Sequence, residues 1–275
     1  MTTVSDCLQQ AAGRVARSDA RILLAAVLKK PKEFLVAHPE GTLTNEEAAL
    51  FEEYLERAQA NEPIPYITGL QEFWGRPFYV TPATLIPRPD TETLIEEALA
   101  ALKKKPNARL LDLGTGSGCI AVTLALECPE AEVWACDKSS EALAVARLNA
   151  QKLSASVRFV ESNWFSAFEG ETFDLIVSNP PYIEEGDEHL SALKYEPVSA
   201  LASGSDGLDD IRILAQEASR HLRRDGEVII EHGYNQADSA SELFRAAGFA
   251  SVRTVHDLGG NPRLCCAKLQ AGAPT

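Results

Sequence analysis

From Val4 to about Ala60, apolar residues recur at helical spacing. Ile22, Leu23, Ala26 and Val27 mark one stripe, and Leu50, Phe51, Tyr54 and Leu55 mark another, as on the buried face of an amphipathic helix. No strand-like alternation interrupts them, so the pattern predicts a small all-helical domain. Thr44, ahead of Asn45, Glu46 and Glu47, supplies an N-cap oxygen, with Glu47 completing a capping box.

Between Asn61 and Pro89 the texture changes to Pro63, Pro65, Gly69, Gly75, Pro77, Pro82 and Pro87, with Phe78-Tyr79-Val80 among them. This predicts a linker with short strands and one hairpin. Asp90 is expected to start a helix through about Leu102 and to cap its exposed amides. Strand and helix patterns then alternate. Strands are predicted at 109–113, 132–136, 157–160, 173–177, 227–231, 251–255 and 263–268, with helices after the first and second. Such alternation implies a parallel sheet with helices on both faces. The last two strands are joined by Gly259-Gly260-Asn261-Pro262, which makes one edge antiparallel. A short polar tail follows Leu269.

Composition narrows the picture. A chain of 275 residues, 45% hydrophobic and 24% charged, is ordinary for one large or two modest globular domains. The boundaries read as 1–75 for the helical domain, 76–89 for the hairpin linker and 90–275 for the α/β domain. A formal charge of −14 argues against a broad nucleic-acid footprint, which needs clustered Lys and Arg. Six cysteines lack C-x-x-C spacing and two of them, Cys265 and Cys266, are adjacent; they read as small core residues in a reducing compartment. With no signal-like or membrane-length apolar run, a cytoplasmic protein without membrane attachment is expected.

Four motifs fall where predicted strands end. Asp112-Leu113-Gly114-Thr115-Gly116-Ser117-Gly118 is a glycine-rich strand-to-helix turn that lets backbone approach a ligand, or it is simply a tight turn. It departs from the dinucleotide fingerprint at Cys119, where a third glycine or alanine belongs. Asp137 lies about 20 residues downstream, where a carboxylate accepts both ribose hydroxyls; its alternative role is an N-cap, although Ser139 and Ser140 can serve there. Trp164, in Ser162-Asn163-Trp164-Phe165, is placed either against an adenine face or in the core. Asn179-Pro180-Pro181-Tyr182 is the most specific signal, because two prolines contribute carbonyls without amide donors in a stiff loop suited to an NH2 group. None of the five histidines, His232 included, shows metal-ligand spacing.

With these motifs the chain resembles the glutamine-N5 methyltransferases of peptide chain release factors, the PrmC/HemK family. Further counterparts are the Pro65–Gly69 segment, Phe73-Trp74-Gly75, the Leu85–Glu92 run, Tyr195-Glu196-Pro197, Asp206-Gly207-Leu208, Glu231-His232-Gly233 and Asp257–Gly260. The resemblance implies an α/β fold with a seven-stranded class I (Rossmann-like) methyltransferase domain, preceded by a small helical substrate-recognition domain and a hairpin linker. It implies methyl transfer from S-adenosylmethionine to the side-chain nitrogen of a glutamine in the Gly-Gly-Gln motif of release factors, by a monomer needing no metal and no direct nucleic-acid contact. Gly114, Thr115, Gly116, Ser117, Gly118, Asp137, Trp164 and Asn179 would bind the cofactor, and Asn179, Pro180, Pro181 and Tyr182 the target amide. Asn179 Oδ1 and the Pro180 carbonyl would accept its N–H groups while Tyr182 packs on its plane. The rival readings are an adenine-N6 nucleic-acid methyltransferase, a cofactor-binding scaffold without catalysis, and a nicotinamide-dependent oxidoreductase.

Overall fold

The structure, a computed structural model, describes residues 2–103 and 105–269; the polar tail lies outside them. It divides into two compact units, 1–70 and 71–275.

The first unit is helical, as the periodicity predicts: α1 (Val4–Ala11), α2 (Arg17–Leu28), α3 (Lys32–Ala37), α4 (Asn45–Gln59) and α5 (Ile64–Thr68). Gly13 and Lys29, both at positive φ, break the stretch after α1 and α2, and Pro31 precedes α3. The Thr44–Glu47 capping box forms at the start of α4. Leu23, Leu24, Val27, Phe51 and Leu55 fill the core, whereas Leu50 is exposed.

The hairpin comes earlier than expected. Strands β1 (Leu70–Phe73) and β2 (Arg76–Tyr79) pair around Trp74 and Gly75. Both turn residues have positive φ, 52° and 66°, as a two-residue turn of matching twist requires. Nor is the hairpin a loose linker. Phe73 and Phe78 are buried in the core of the second unit, and Trp74 N donates to Glu92 Oε1 at 2.7 Å. The boundaries 1–75 and 76–89 are corrected accordingly: burial of two aromatic side chains ties the hairpin to the α/β unit.

A second correction concerns Asp90. Pro89–Thr91 form a single 3-10 turn before α6 (Glu92–Leu102), and Asp90 pairs with Arg263 at 3.0 Å instead of capping the helix. Arg263 is largely buried and needs a carboxylate.

After α6 come β3 (Arg109–Leu113), α7 (Cys119–Glu127), β4 (Glu132–Asp137), α8 (Ser140–Leu153), β5 (Val157–Glu161), β6 (Phe173–Ser178), α9 (Asp209–Ala218), β7 (Leu222–Glu231), α10 (Ala237–Ala246), β8 (Ser251–His256) and β9 (Pro262–Lys268). Among the described residues, seven strands form one sheet in the order β5-β4-β3-β6-β7-β9-β8. It is parallel from β5 to β7 and antiparallel at β7–β9 and β9–β8. The chain winds outward from β3 to β5 and then reverses to place β6 on the other side of β3. That reversal opens a crevice beyond the carboxyl ends of the strands.

Period-2 alternation splits the strand residues between two cores. Leu110, Val133, Leu175 and Ile229 pack with α6 and α7, while Leu111, Cys136, Ile176 and Ile230 pack with α9 and α10. The adjacent cysteines follow the same rule: Cys266 lies in the first core and Cys265 in the second, so they fill opposite faces of one strand. Burial pushes the thiols of Cys119, Cys265 and Cys266 up to about 12. They are therefore neutral at pH 8, and the neutral thiol is a poor nucleophile. Alkylation of the native protein at about pH 8, followed by mass spectrometry, is expected to label the partly exposed Cys128 first. Early labelling of Cys265 or Cys266 would contradict their place in the sheet.

Candidate active site

The crevice is built by loops that tie one another down. After β3, Gly114 has a φ of 70°, and a Cβ there would stand 3.2 Å from the Trp164 ring. Gly118 has a φ of 80°, and a Cβ there would stand 3.0 Å from Ala146 Cβ on α8; only glycine permits both the angle and the approach. Thr115 N donates to Cys136 O at 2.8 Å and Gly116 N to Asp137 Oδ2 at 2.9 Å. Asp112 Oδ2 accepts from Thr115 Oγ1 at 2.6 Å and from Ala121 N at 3.2 Å. Burial nonetheless pushes the Asp112 carboxyl up to about 7. On the outer side, Asn149 Nδ2 donates to Ser117 O at 2.8 Å and to Tyr79 O at 2.9 Å, which joins the glycine-rich turn to the hairpin.

Asp137, at the end of β4, accepts from Ser139 N through Oδ1 and from Gly116 N through Oδ2, each at 2.9 Å. Ser139 Oγ caps α8 by accepting from Ala142 N at 3.1 Å, so the carboxylate is not the cap. After β5, Trp164 takes a positive φ of 50°. Its Nε1 donates to Asp210 Oδ1 at 3.1 Å, and Asp210 Oδ2 accepts from Ser203 Oγ at 2.7 Å. The six-membered ring of the indole lies against Gly114, and the residue also borders the second core.

After β6, Ser178 Oγ donates to Leu113 O at 2.7 Å, bringing the Asn179 loop against the glycine-rich turn. Asn179 Nδ2 donates to Thr91 Oγ1 at 3.1 Å, which leaves Oδ1 as the acceptor for a ligand. Tyr182 Oη donates to Glu231 Oε1 at 3.3 Å. Its hydroxyl is pushed upward by burial and then by the Glu231 charge, so it stays protonated at neutral pH. Tyr182 N donates to Leu201 O at 3.1 Å, and Tyr182 O accepts from Gln236 Nε2 at 3.0 Å.

Together these loops enclose a cleft of about 310 Å³, at the lower end of small-ligand sites. Gly114, Thr115, Gly116, Ser117, Asp137, Trp164, Asn179 and Pro181 all line it. Three expected residues do not. Gly118 lies behind the turn against Ala146, Pro180 is buried, and Tyr182 turns its hydroxyl to Glu231 rather than presenting its ring as cleft wall. Further wall comes from Ala83, Thr84, Leu85, Pro87, Arg88 and Thr91, from Pro197, Ser199 and Ala200, and from residues at the starts of α7 and α8 and after β5. Arg88 is held there by an ion pair with Glu196, whose Oε2 also accepts from Ile86 N at 3.1 Å.

Sequence reasoning gave no individual role to Thr91, Asn149, Asp210 or Glu231. Glu231 carries a legible signal: a carboxylate at the end of the run Val228-Ile229-Ile230 is out of place unless it is buried for a reason. His232 is buried, its Nδ1–H donates to Gly233 O at 2.8 Å, and burial lowers its pKa and keeps the ring neutral, a structural arrangement outside the cleft. Among the described residues no group of His, Cys, Asp and Glu is disposed to hold a metal ion.

Gly207 lies against the Asn179 loop. A Cβ there would meet Tyr182 O at 2.3 Å, at a φ of 70°. Gly207→Ala is expected to lower unfolding stability by roughly 1 to 3 kcal/mol, measured by urea denaturation; an unchanged midpoint would mean the loop gives way freely.

Residues 1–69 match the PrmC N-terminal domain and residues 91–198 the methyltransferase small domain. Three relatives are named release factor glutamine methyltransferase. The Salmonella typhimurium protein is 45% identical, with 92% of each chain covered. That of Pseudomonas aeruginosa is 47% identical over 90% of this chain and 91% of its own. The Escherichia coli protein is 42% identical over 93% of each. Among solved structures, a Pyrococcus furiosus methyltransferase aligns over 79% of this chain and 98% of its own with a TM-score of 0.53 at 20% identity. The Thermus thermophilus ribosomal RNA methyltransferase RsmC, in complex with AdoMet and guanosine, aligns over 73% and 50% with a TM-score of 0.54 at 18% identity; at such identities the likeness is one of fold. Relatives matched at this identity along nearly their whole length, together with both domain matches, place the chain in the family of release factor glutamine methyltransferases.

Proposed function

We propose that this chain transfers a methyl group from S-adenosylmethionine to the side-chain amide nitrogen, N5, of a glutamine in the Gly-Gly-Gln motif of peptide chain release factors. The observation that carries this reading is the Asn179 amide, fixed by Thr91 on the wall of a cleft whose other wall is a glycine-rich turn closed by Asp137. The residues present fit the cofactor. Gly114 and Trp164 both line the cleft, and the Trp164 ring there would offer an apolar partner to an adenine. Asp137, which lines the cleft and is held by two backbone amides, keeps a lone pair on each carboxylate oxygen that would accept a ribose hydroxyl. When bound, S-adenosylmethionine supplies a methyl group made electrophilic by its sulfonium.

An amide nitrogen is a poor nucleophile because its lone pair is delocalised, so these residues must orient it. Asn179 Oδ1 accepts one N–H of the target, and a carbonyl of the proline pair accepts the other. As the nitrogen gains the methyl it becomes cationic, and each acceptor then faces a charged donor, worth about 1.5 to 3 kcal/mol per bond. Orientation contributes up to roughly 7 to 11 kcal/mol in well-placed reactions. No strong base is required, since the cationic product sheds its proton readily. Tyr182, bonded to Glu231, stiffens the loop from behind. The helical unit would recognise the release factor, and the formal charge of −14 favours a protein partner over a nucleic acid.

Labelled S-adenosylmethionine with purified release factors, compared with DNA and RNA, is expected to place label on a release-factor glutamine, located by mass spectrometry. Asn179→Ala is expected to reduce turnover by about two orders of magnitude or more while cofactor binding largely survives. Near-normal turnover would remove Asn179 from the site, and label on nucleic acid would replace the substrate.

A further inference from the structure

Trp164 is held at both ends. Its φ of 50° is a backbone angle that a bulky L-residue keeps only where its surroundings impose it. Its carbonyl accepts from Ser162 Oγ at 2.8 Å, and its indole Nε1–H donates to Asp210 Oδ1 at 3.1 Å. Asp210 stands in the first turn of α9, and its other carboxylate oxygen serves a different neighbour. Oδ2 accepts from Ser203 Oγ at 2.7 Å, and Ser203 Oγ in turn accepts from Asp210 N at 2.8 Å. Ser203 is 3% exposed and belongs to the segment on which the N-P-P-Y loop closes. Ser203 N donates to Ile183 O at 2.9 Å, while Tyr182 N and Ile183 N both donate to Leu201 O, at 3.1 and 2.8 Å. A continuous path therefore runs from the indole, through one carboxylate, to the backbone that carries the loop.

We propose that Asp210 is a positioning residue shared by both halves of the cleft: one oxygen fixes the Trp164 indole on the cofactor side, and the other, through Ser203, fixes the N-P-P-Y loop on the target side. The proposal rests on the reading of the cleft as a site for S-adenosylmethionine and a glutamine amide. An indole N–H is a donor only, so the carboxylate selects the orientation of the ring. Without it the ring turns, and binding of the cofactor has to order it again. The Ser203 hydroxyl, donating to Oδ2 and accepting from the Asp210 amide, locks residues 201–203 to α9. Without that lock the loop shifts and its amide acceptors lose their aim, which a reaction driven by orientation does not tolerate. Because the two oxygens divide these tasks, the two halves of the site are expected to fail separately. A role confined to anchoring α9, whose N-cap residue Leu208 makes no side-chain bond, would lower stability without that division.

Single variants of the full chain separate the halves. Trp164→Phe, which keeps an aromatic ring but lacks the N–H, is expected to raise the Kd of S-adenosylmethionine, measured by calorimetry, roughly two- to tenfold. Ser203→Ala is expected to lower kcat on release factor roughly tenfold or more and to leave that Kd unchanged. Asp210→Ala is expected to do both, and adding Trp164→Phe to it to raise the Kd no further than the worse single variant does. The indole N–H signals of the 15N-labelled protein give a readout independent of activity. Trp74 donates to Glu127 Oε1 at 3.2 Å, Trp134 Nε1 is buried without a partner among the described residues, and Trp164 donates to Asp210. Only the Trp164 signal, assigned as the one missing from Trp164→Phe, is expected to move in Asp210→Ala, and it is expected to stay in place in Ser203→Ala. An unmoved Trp164 signal or an unchanged Kd in Asp210→Ala, or wild-type kcat in Ser203→Ala, would overturn the proposal. If Asp210→Ala does not fold, the other two variants decide: a wild-type Kd in Trp164→Phe or wild-type kcat in Ser203→Ala would overturn it. A wild-type protein that binds no S-adenosylmethionine or methylates no release factor would instead discard the reading of the cleft, and the proposal with it.

Discussion

Every strand that ends at the cleft leaves backbone amides and carbonyls that the sheet no longer pairs, and unpaired buried polar groups are costly. The structure meets this demand with side chains. Asp137 takes the amides of Gly116 and Ser139, Asn149 serves Ser117 O and both backbone groups of Tyr79, and Ser178 reaches Leu113 O. Gln236 bonds Tyr182 O and donates toward Gly207 O. Loops joined in this way cannot shift singly, so the cleft has a fixed shape before any ligand arrives. Pre-organisation of that kind is what an orientation-driven reaction needs.

Much of this was legible in the sequence because the relevant signals are local. A strand of alternating apolar residues, a glycine-rich turn and an N-P-P-Y loop each declare themselves within a few positions, and the strands from Arg109 to Lys268 fall within a few residues of their predicted places. Long-range pairings were not legible. Nothing near Thr91 in the chain indicates that its hydroxyl receives Asn179, and nothing near Asp210 points to Trp164. The hairpin was misplaced for the same reason. Its proline and glycine texture reads as a linker, and only the burial of Phe73 and Phe78 shows that it belongs to the α/β core.

Two carboxyls, Asp112 and Glu231, are pushed up to about 7 by burial. A group whose folded pKa is raised favours the fold while protonated, and that contribution is lost as pH rises from the ordinary carboxylate range through about 7. Ionising either carboxyl at neutral pH and above therefore costs the fold stability. Both stand at strand ends beside the cleft, Asp112 bonding Thr115 and α7, and Glu231 bonding Tyr182. Their place in the fold is explained by what they hold.

The order of the sheet also governs how the chain comes together as it is made. Strand β9 lies between β7 and β8, so β7 keeps an open hydrogen-bonding edge and β8 has no neighbour until the residues up to Lys268 exist. The cleft residues from Gly114 to Tyr182 are synthesised well before then. An open, apolar edge is a template for wrong pairing, so the interval between the synthesis of β7 and the insertion of β9 is when this chain is most exposed to aggregation.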